Sequence, residues 1–370
     1  VSTAPTITAW DLNTNDLLTH LQASNPSYSV RMNDAGEFSL KLDLTDALVS
    51  EQAAIIQSLA GIPFKVIFSE REESIQYTGI AWHSRKSSKS TEMVIAGKAI
   101  TSYFTQVTAT KSYNTSISPA QLLSDVITDT QAQPGANMRL TPRLSLAAPP
   151  PPITPQYEKN QYVTAAQIIA DCTAAITPGT GGVDYYITDA FVDGAPTHTF
   201  NIAAPRCGRD KTVSGATIDL TQAIEWDWPS DATQSGNQAI VVGSGSGGVQ
   251  PKSIKDSTQP RGGLGQPPLL QMVYQYNQVS SQTQLDAIAS GLIQMFGQPV
   301  TVPVVTMPVD YEPLPLGSFI IGDDVRVFSP RSPWFPNGIS EWWRIAAYTV
   351  TYPDEGVATY QLTLNRPPVF

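Results

Sequence analysis

Between residues 28 and 44 apolar and polar positions alternate, with Phe38, Leu40, Leu42 and Leu44 separated by Ser39, Lys41 and Asp43. Strict alternation predicts strands with one buried and one wet face, and Asn33-Asp34-Ala35-Gly36 supplies the turn of a hairpin. A short apolar stretch over residues 53–59 reads as helical. Phe64-Lys65-Val66-Ile67-Phe68, Tyr77-Thr78-Gly79-Ile80-Ala81-Trp82 and Met93-Val94-Ile95-Ala96-Gly97 follow as strands, at a spacing that suits a small barrel or sandwich.

The period then changes. Ser118-Pro119 is an N-cap followed by proline at the first helical position, and Leu122, Leu123, Val126 and Ile127 fall on one face of the helix it opens. A second helix is predicted after Thr164, with Ile168, Ile169, Cys172 and Ile176 on its buried stripe. Between the two, the proline-rich run over residues 147–155 reads as a stiff extended connector. Strands at residues 185–188 and 199–202 complete an α+β insert. Residues 238–248 run from an apolar strand into glycines, and the polar stretch that follows, through Pro268, has no apolar period. A third helix is predicted over residues 283–296, with Leu285, Ile288, Leu292 and Phe296 on one face. Strands over residues 320–328, 342–352 and 357–364 close the chain, the last pair turning at Asp354-Glu355-Gly356.

The fold class expected from this order is mainly β with α+β insertions. Residues 1–105 form a first β unit, with residues 203–235 available to complete it. Residues 106–202 form the insert with its proline-rich connector, residues 236–300 a loop-rich segment with a helix, and residues 301–370 a second β unit. Composition agrees: 25 glycines and 30 prolines in 370 residues punctuate short strands and loops, and exclude an all-helical bundle.

Charge narrows the function classes. The formal net charge is -10 and no run is dense in Lys or Arg, so the chain is a poor ligand for duplex DNA, whose binding depends on neutralising phosphates. Two cysteines, Cys172 and Cys207, and three histidines, His20, His83 and His198, supply neither a disulfide framework nor a four-ligand zinc site. The N-terminal residues lack the features of a secretion signal and no run reaches membrane-helix length, so synthesis in a cytosol is expected.

Each candidate for chemistry has a plainer structural reading. Gly243-Ser244-Gly245-Ser246-Gly247-Gly248 matches the G-x-G-x-x-G spacing of a dinucleotide site, but Val249-Gln250-Pro251-Lys252-Ser253 does not open the helix that such a site requires. Cys172 lies on an apolar helical stripe, as a small buried hydrophobe does. Cys207 sits beside Arg206 and Arg209, neighbours able to lower a thiol pKa, although a structural cysteine is favoured. Asp310 with Glu312, and Asp323 with Asp324, are spaced as Ca²⁺ ligands or paired glycosidase acids, yet Gly322-Asp323-Asp324 leads straight into a strand and reads as a turn. Asn114-Thr115-Ser116 is a formal glycosylation sequon. Trp226, Trp228, Trp334, Trp342 and Trp343 cluster in the second half, where core packing competes with sugar or protein stacking. No catalytic, cofactor-binding or metal-binding residue is assigned, and no cofactor is expected.

Seven short segments stand in a fixed order and spacing: Ala35-Gly36-Glu37-Phe38-Ser39-Leu40-Lys41-Leu42, Tyr77-Thr78-Gly79-Ile80, Val94-Ile95-Ala96-Gly97-Lys98 and Asn237-Gln238-Ala239-Ile240-Val241-Val242-Gly243 come first. Leu316-Gly317-Ser318-Phe319-Ile320-Ile321-Gly322-Asp323-Asp324-Val325-Arg326-Val327, Trp343-Arg344-Ile345-Ala346-Ala347-Tyr348 and Thr359-Tyr360-Gln361-Leu362-Thr363-Leu364 follow. Together they resemble the tail-hub, or baseplate-hub, minor tail proteins of long-tailed bacteriophages, in particular those infecting actinobacteria. The resemblance implies a non-enzymatic virion protein with two β-barrel tube domains, assembled in the host cytoplasm into a homotrimer at the tail tip. Three copies would match a six-fold tail tube to a three-fold tip around the DNA channel. The partners implied are a distal tail protein, the tape-measure protein and other minor tail proteins. The alternatives are a glycan-binding or glycan-cleaving tail-tip protein and a hexameric distal tail ring. The loop over residues 243–268 is expected to contact a neighbour.

Overall fold

The structure, a computed structural model, describes residues 4–366 except 60, 71–73, 149, 175–181, 234, 246–247, 249, 259–260, 262–265, 277–278, 280 and 298–300. Part of the expected contact loop and Ile176 therefore lie outside the described residues. The fold is mainly β, with four α-helices and three sheets among the described residues.

The first β unit consists of β1 (Thr6–Trp10), β2 (Leu17–Leu21), β3 (Ser24–Arg31), β4 (Glu37–Asp43), α1 (Ala47–Ser58), β5 (Phe64–Glu70), β6 (Ser74–Arg85) and β7 (Glu92–Ala99). Alternation in β4 does what it predicts: Phe38, Leu40 and Leu42 are buried. Helix α1 begins well before the apolar stretch that announces it, because the Asp46 side chain accepts hydrogen bonds from the backbone N–H groups of Leu48 and Val49.

The insert packs α2 (Pro119–Gln131) and α3 (Ala165–Ala174) against a sheet of β8 (Leu140–Leu146), β9 (Asp184–Val192) and β10 (Ala195–Ala204). Ser118 caps α2 through the Gln121 N–H, with proline at the first helical position, and the predicted stripe is buried. The insert lies on the outer face of the first unit. Ile80 of β6 joins the insert's core, and Phe191 of β9 packs on Trp10 and Ile67.

Next come β11 (Thr217–Asp219) and β12 (Glu225–Asp227). A small unit follows, in which α4 (Gln282–Phe296) packs on β13 (Gln238–Val242), β14 (Lys252–Asp256) and β15 (Gln271–Gln275). The polar stretch after Gly248 thus contains a strand. Only Ser253 of β14 is buried, so a strand covered along so little of its length leaves no apolar period to read.

The chain closes with β16 (Val304–Pro308), β17 (Asp324–Ser329), β18 (Ile339–Thr351) and β19 (Thr359–Asn365). The expected strand over residues 320–328 starts only at Asp324, because residues 320–323 form the turn that sets up the site described below. Strand β11 pairs with β17 and β12 with β16, so residues 217–227 join the C-terminal unit and not, as the sequence left open, the first.

The two β units are one sheet. Strand β18 is long enough to pair with β17 over residues 339–344 and then with β3 over residues 347–351, while β19 lines its other edge. A single core follows the sheet through both units, from Ile7 to Leu364. Among the described residues no ladder joins β2 to β3 or β11 to β12, so neither unit is closed by backbone pairing alone. No helix of the described residues is long and apolar enough to cross a membrane.

Candidate functional site

The densest polar chemistry lies where the insert meets the C-terminal unit. Asp184 opens β9. One of its carboxylate oxygens accepts from Asn33 Nδ2 at 2.8 Å, and the other accepts from Arg344 Nη2 at 2.6 Å and from the Cys207 N–H at 3.1 Å. Arg344, in β18, also donates to the carbonyls of Cys207 and Gly322. Beside it Arg206 grips both oxygens of Asp324 with bonds of 3.0 and 2.7 Å, while Nε and Nη2 of Arg209 both donate to one oxygen of Asp323, Oδ2. Backbone N–H groups complete the shells: Lys211 donates to Asp324, and Arg209 and Ile320 to Asp323. Planar guanidinium forks on carboxylates give geometry as well as attraction, and the extra N–H donors satisfy oxygens that would otherwise be buried and unpaired.

Two glycines let the loop after β10 and the turn before β17 approach this closely. Gly208 has φ +79° and a Cβ there would lie 2.0 Å from the Gly322 carbonyl carbon. Gly322 has φ +92° and its Cβ would meet Cys207 Sγ at 2.5 Å. Both positions need the conformation and the volume that only glycine supplies.

Asp323 and Asp324 are therefore the anionic half of a structural clamp, and the two arginines that flank Cys207 are its cationic half. With the guanidiniums engaged there, burial dominates and pushes the Cys207 thiol up to about 12; burial does the same to Cys172. Neither thiol is expected to react with DTNB at pH 8 in the folded protein, and both react once denaturant unfolds it. Rapid labelling of one thiol in the native state would contradict this environment. Asp310 and Glu312 are exposed in the turn after β16. Among the described residues no group of three or more His, Cys, Asp or Glu side chains is placed to hold a metal.

Among the described residues the next element after β13 is the strand β14, and no α-helix stands there to offer the pyrophosphate-binding N-terminus of a dinucleotide site. Gly243 packs tightly against the Val279 carbonyl, where a Cβ would come within 2.4 Å.

The tryptophans form a chain from core to surface. Trp343 is 2% exposed and contacts Trp228, with ring centroids 5.3 Å apart. Trp228 touches Phe335, Phe335 touches Trp226, and Trp226 meets Trp334, which is 76% exposed. Packing and exposure thus both occur, at opposite ends of one cluster, and the exposed end lies at β12, a terminal strand of the large sheet.

A second buried polar chain joins the first unit to the insert, and nothing in the sequence marks it. Lys65 Nζ is 2.6 Å from Asn15 Oδ1 and 3.2 Å from His198 Nε2, and His198 Nδ1 is 2.7 Å from Asp189 Oδ1. Burial lowers the Lys65 ammonium to about 8; Arg139 adds to this, while Asp189 and Asp11 oppose it.

No protein-family model and no curated protein matches the sequence. Solved structures do match, over nearly the whole chain. The tail protein from Neisseria meningitidis MC58 aligns at 12% identity and a TM-score of 0.61, covering 98% of this chain and 97% of its own. The 43 kDa tail protein of prophage MuSo2 from Shewanella oneidensis aligns at 11% identity and 0.62, covering 98% of each chain. Prophage tail protein gp18 from Listeria monocytogenes EGD-e aligns at 13% identity and 0.53, covering 98% of this chain and 95% of its own. The fold of this chain is that of these tail proteins, from its first strand to its last.

Proposed function

We propose that the chain is a structural phage tail protein that assembles as a trimeric hub at the tail tip, acting through shape and not through catalysis. The observation that carries the reading is the fusion of two β units into one sheet through β18 and β3, within a fold shared end to end with three tail proteins. A subunit with two linked β units presents six of them in a ring of three, which converts a three-fold contact surface into a six-fold one. The Arg–Asp clamp supports the same role, because it fixes the insert and the C-terminal unit as one rigid body. Under this reading the partners are a distal tail protein, the tape-measure protein and further tail-tip proteins, and the working location is the virion. The net charge of -10 belongs to it too: an acidic wall repels phosphate, so DNA passing through the ring is not held.

Light scattering on the purified chain, with low-resolution imaging of assembled tails, tests the proposal. Three copies per ring are expected. Six copies would favour a distal ring, and a lone copy in assembled tails would remove the hub altogether.

A further inference from the structure

Lys65, Asn15 and His198 bring an amine, a carboxamide and an imidazole together away from water: Lys65 and His198 are each 1% exposed and Asn15 is 5% exposed. The three come from different elements. Lys65 lies on the face of β5 opposite Phe64, Val66 and Phe68, Asn15 in the turn between β1 and β2, and His198 on β10 of the insert. The carboxamide is held from both ends, its oxygen receiving Lys65 Nζ and its Nδ2 donating to the Pro196 carbonyl at 3.1 Å. Asn15 itself is fixed at φ +67° by a turn in which its N–H donates to the Asp11 carbonyl. On the far side, His198 Nδ1 lies 2.7 Å from the Asp189 carboxylate, an acceptor that favours the tautomer with its proton on Nδ1 and the Nε2 lone pair toward Lys65.

We propose that Lys65 and Asn15 condense into an intrachain amide crosslink, with His198 as the catalytic base and Asp189 as its positioning residue. The neutral Lys65 amine adds its lone pair to Asn15 Cγ, and His198 Nε2 takes the proton that Nζ gives up. That proton passes to Asn15 Nδ2 as the Cγ–Nδ2 bond breaks. Ammonia leaves, the imidazole returns to its starting state, and an amide joins Nζ to Cγ. The exchange of one amide for another needs no oxidant, reductant or cofactor.

Two features of the site favour the reaction. Lys65 Nζ is already hydrogen-bonded to the Asn15 carbonyl oxygen, which removes most of the entropic cost of bringing the two side chains together. Burial lowers the Lys65 pKa to about 8, so half of the side chains are uncharged at mildly alkaline pH. The charged groups around the amine are Asp189 and Asp11, which favour the ammonium, and Arg139, which disfavours it. The product would tie the β1–β2 turn to β5 beneath the insert by a bond that denaturant does not break. This inference stands apart from the hub reading, and either can fail without the other.

Intact-mass measurement of the full chain, kept folded at pH 8, decides the matter. The expected mass is lower than that of the sequence by one ammonia, and a tryptic digest should contain a branched peptide joining the segments around Asn15 and Lys65, uncut after Lys65. Lys65→Arg should keep its full mass. His198→Gln, checked for native circular dichroism, should form the bond about a hundredfold more slowly or worse; Asp189→Asn should slow it as well, with the product unchanged. A wild-type chain that stays at full mass after prolonged folded incubation at pH 8–9 overturns the proposal. So does an equal loss of ammonia in Lys65→Arg, which would trace it to another asparagine.

Discussion

Arg344→Ala is expected to lower the free energy of unfolding by about 3–5 kcal/mol, because it strands the Asp184 carboxylate in a site built around a guanidinium. Replacing a buried pair as a unit by well-packed apolar groups can be nearly neutral, whereas removing one partner leaves a desolvated charge. Asp184 would retain Asn33 and the Cys207 N–H, which soften the loss without neutralising it. Arg344 also donates to the Cys207 and Gly322 carbonyls, so its removal loosens the 206–209 loop from the 320–323 turn. Equilibrium denaturation with wild type and variant, at matched slopes, measures the difference. A loss below about 1 kcal/mol would mean that the clamp behaves as a surface ion pair. The double variant with Asp184→Asn should recover part of the loss, since the two residues share one interaction and their effects cannot add.

That clamp shows where sequence reading ends. The turn at Gly322-Asp323-Asp324 is legible, because glycine and aspartates before an apolar run are turn chemistry. Its partners are not: Arg206 and Arg209 lie more than a hundred residues upstream, and their pairing depends on the loop after β10 arriving beside the turn before β17. The same holds for the joint between β18 and β3. Each strand is readable from its own pattern, but Tyr348 opposite Val30 is a register across more than three hundred residues, which no local period encodes. Helix α2 is the opposite case, since its cap, its proline and its apolar stripe all lie within thirteen residues. Lys65 misleads in an instructive way. Alternation in β5 places it with Ile67 on the face away from Phe64, Val66 and Phe68, a face that would be wet in a two-layer unit. The insert covers that face, so a lysine is buried against His198, and one of the least expected groups in the chain becomes the centre of a reactive constellation. Domain-level packing, invisible to periodicity, changes what a residue is for.

Phe68→Ala is expected to cost about 3–5 kcal/mol of stability, the range for truncating a well-packed buried aromatic ring. Phe68 sits at the hub of four rings: its centroid is 5.2 Å from Tyr28, 5.9 Å from Phe38 and 5.7 Å from Tyr77, two of these contacts being edge-on. These neighbours come from β3, β4 and β6, so they cannot collapse into the space without breaking strand register. Tyr77 is further pinned by its hydroxyl, which donates to the Gly36 carbonyl, and Tyr28 by its bond to Gln76. A cavity that cannot close carries the full penalty of lost contacts. The measurement that checks this is again denaturant unfolding, compared with Phe68→Leu, which keeps most of the volume and should lose clearly less. The consequence reaches beyond the core. Strand β5 carries Phe68 inward and Lys65 outward, so a variant that lets β5 shift should also misplace the amine and slow formation of the Lys65–Asn15 bond. If Phe68→Ala lost its stability yet formed that bond at the wild-type rate, the two faces of β5 would be mechanically independent.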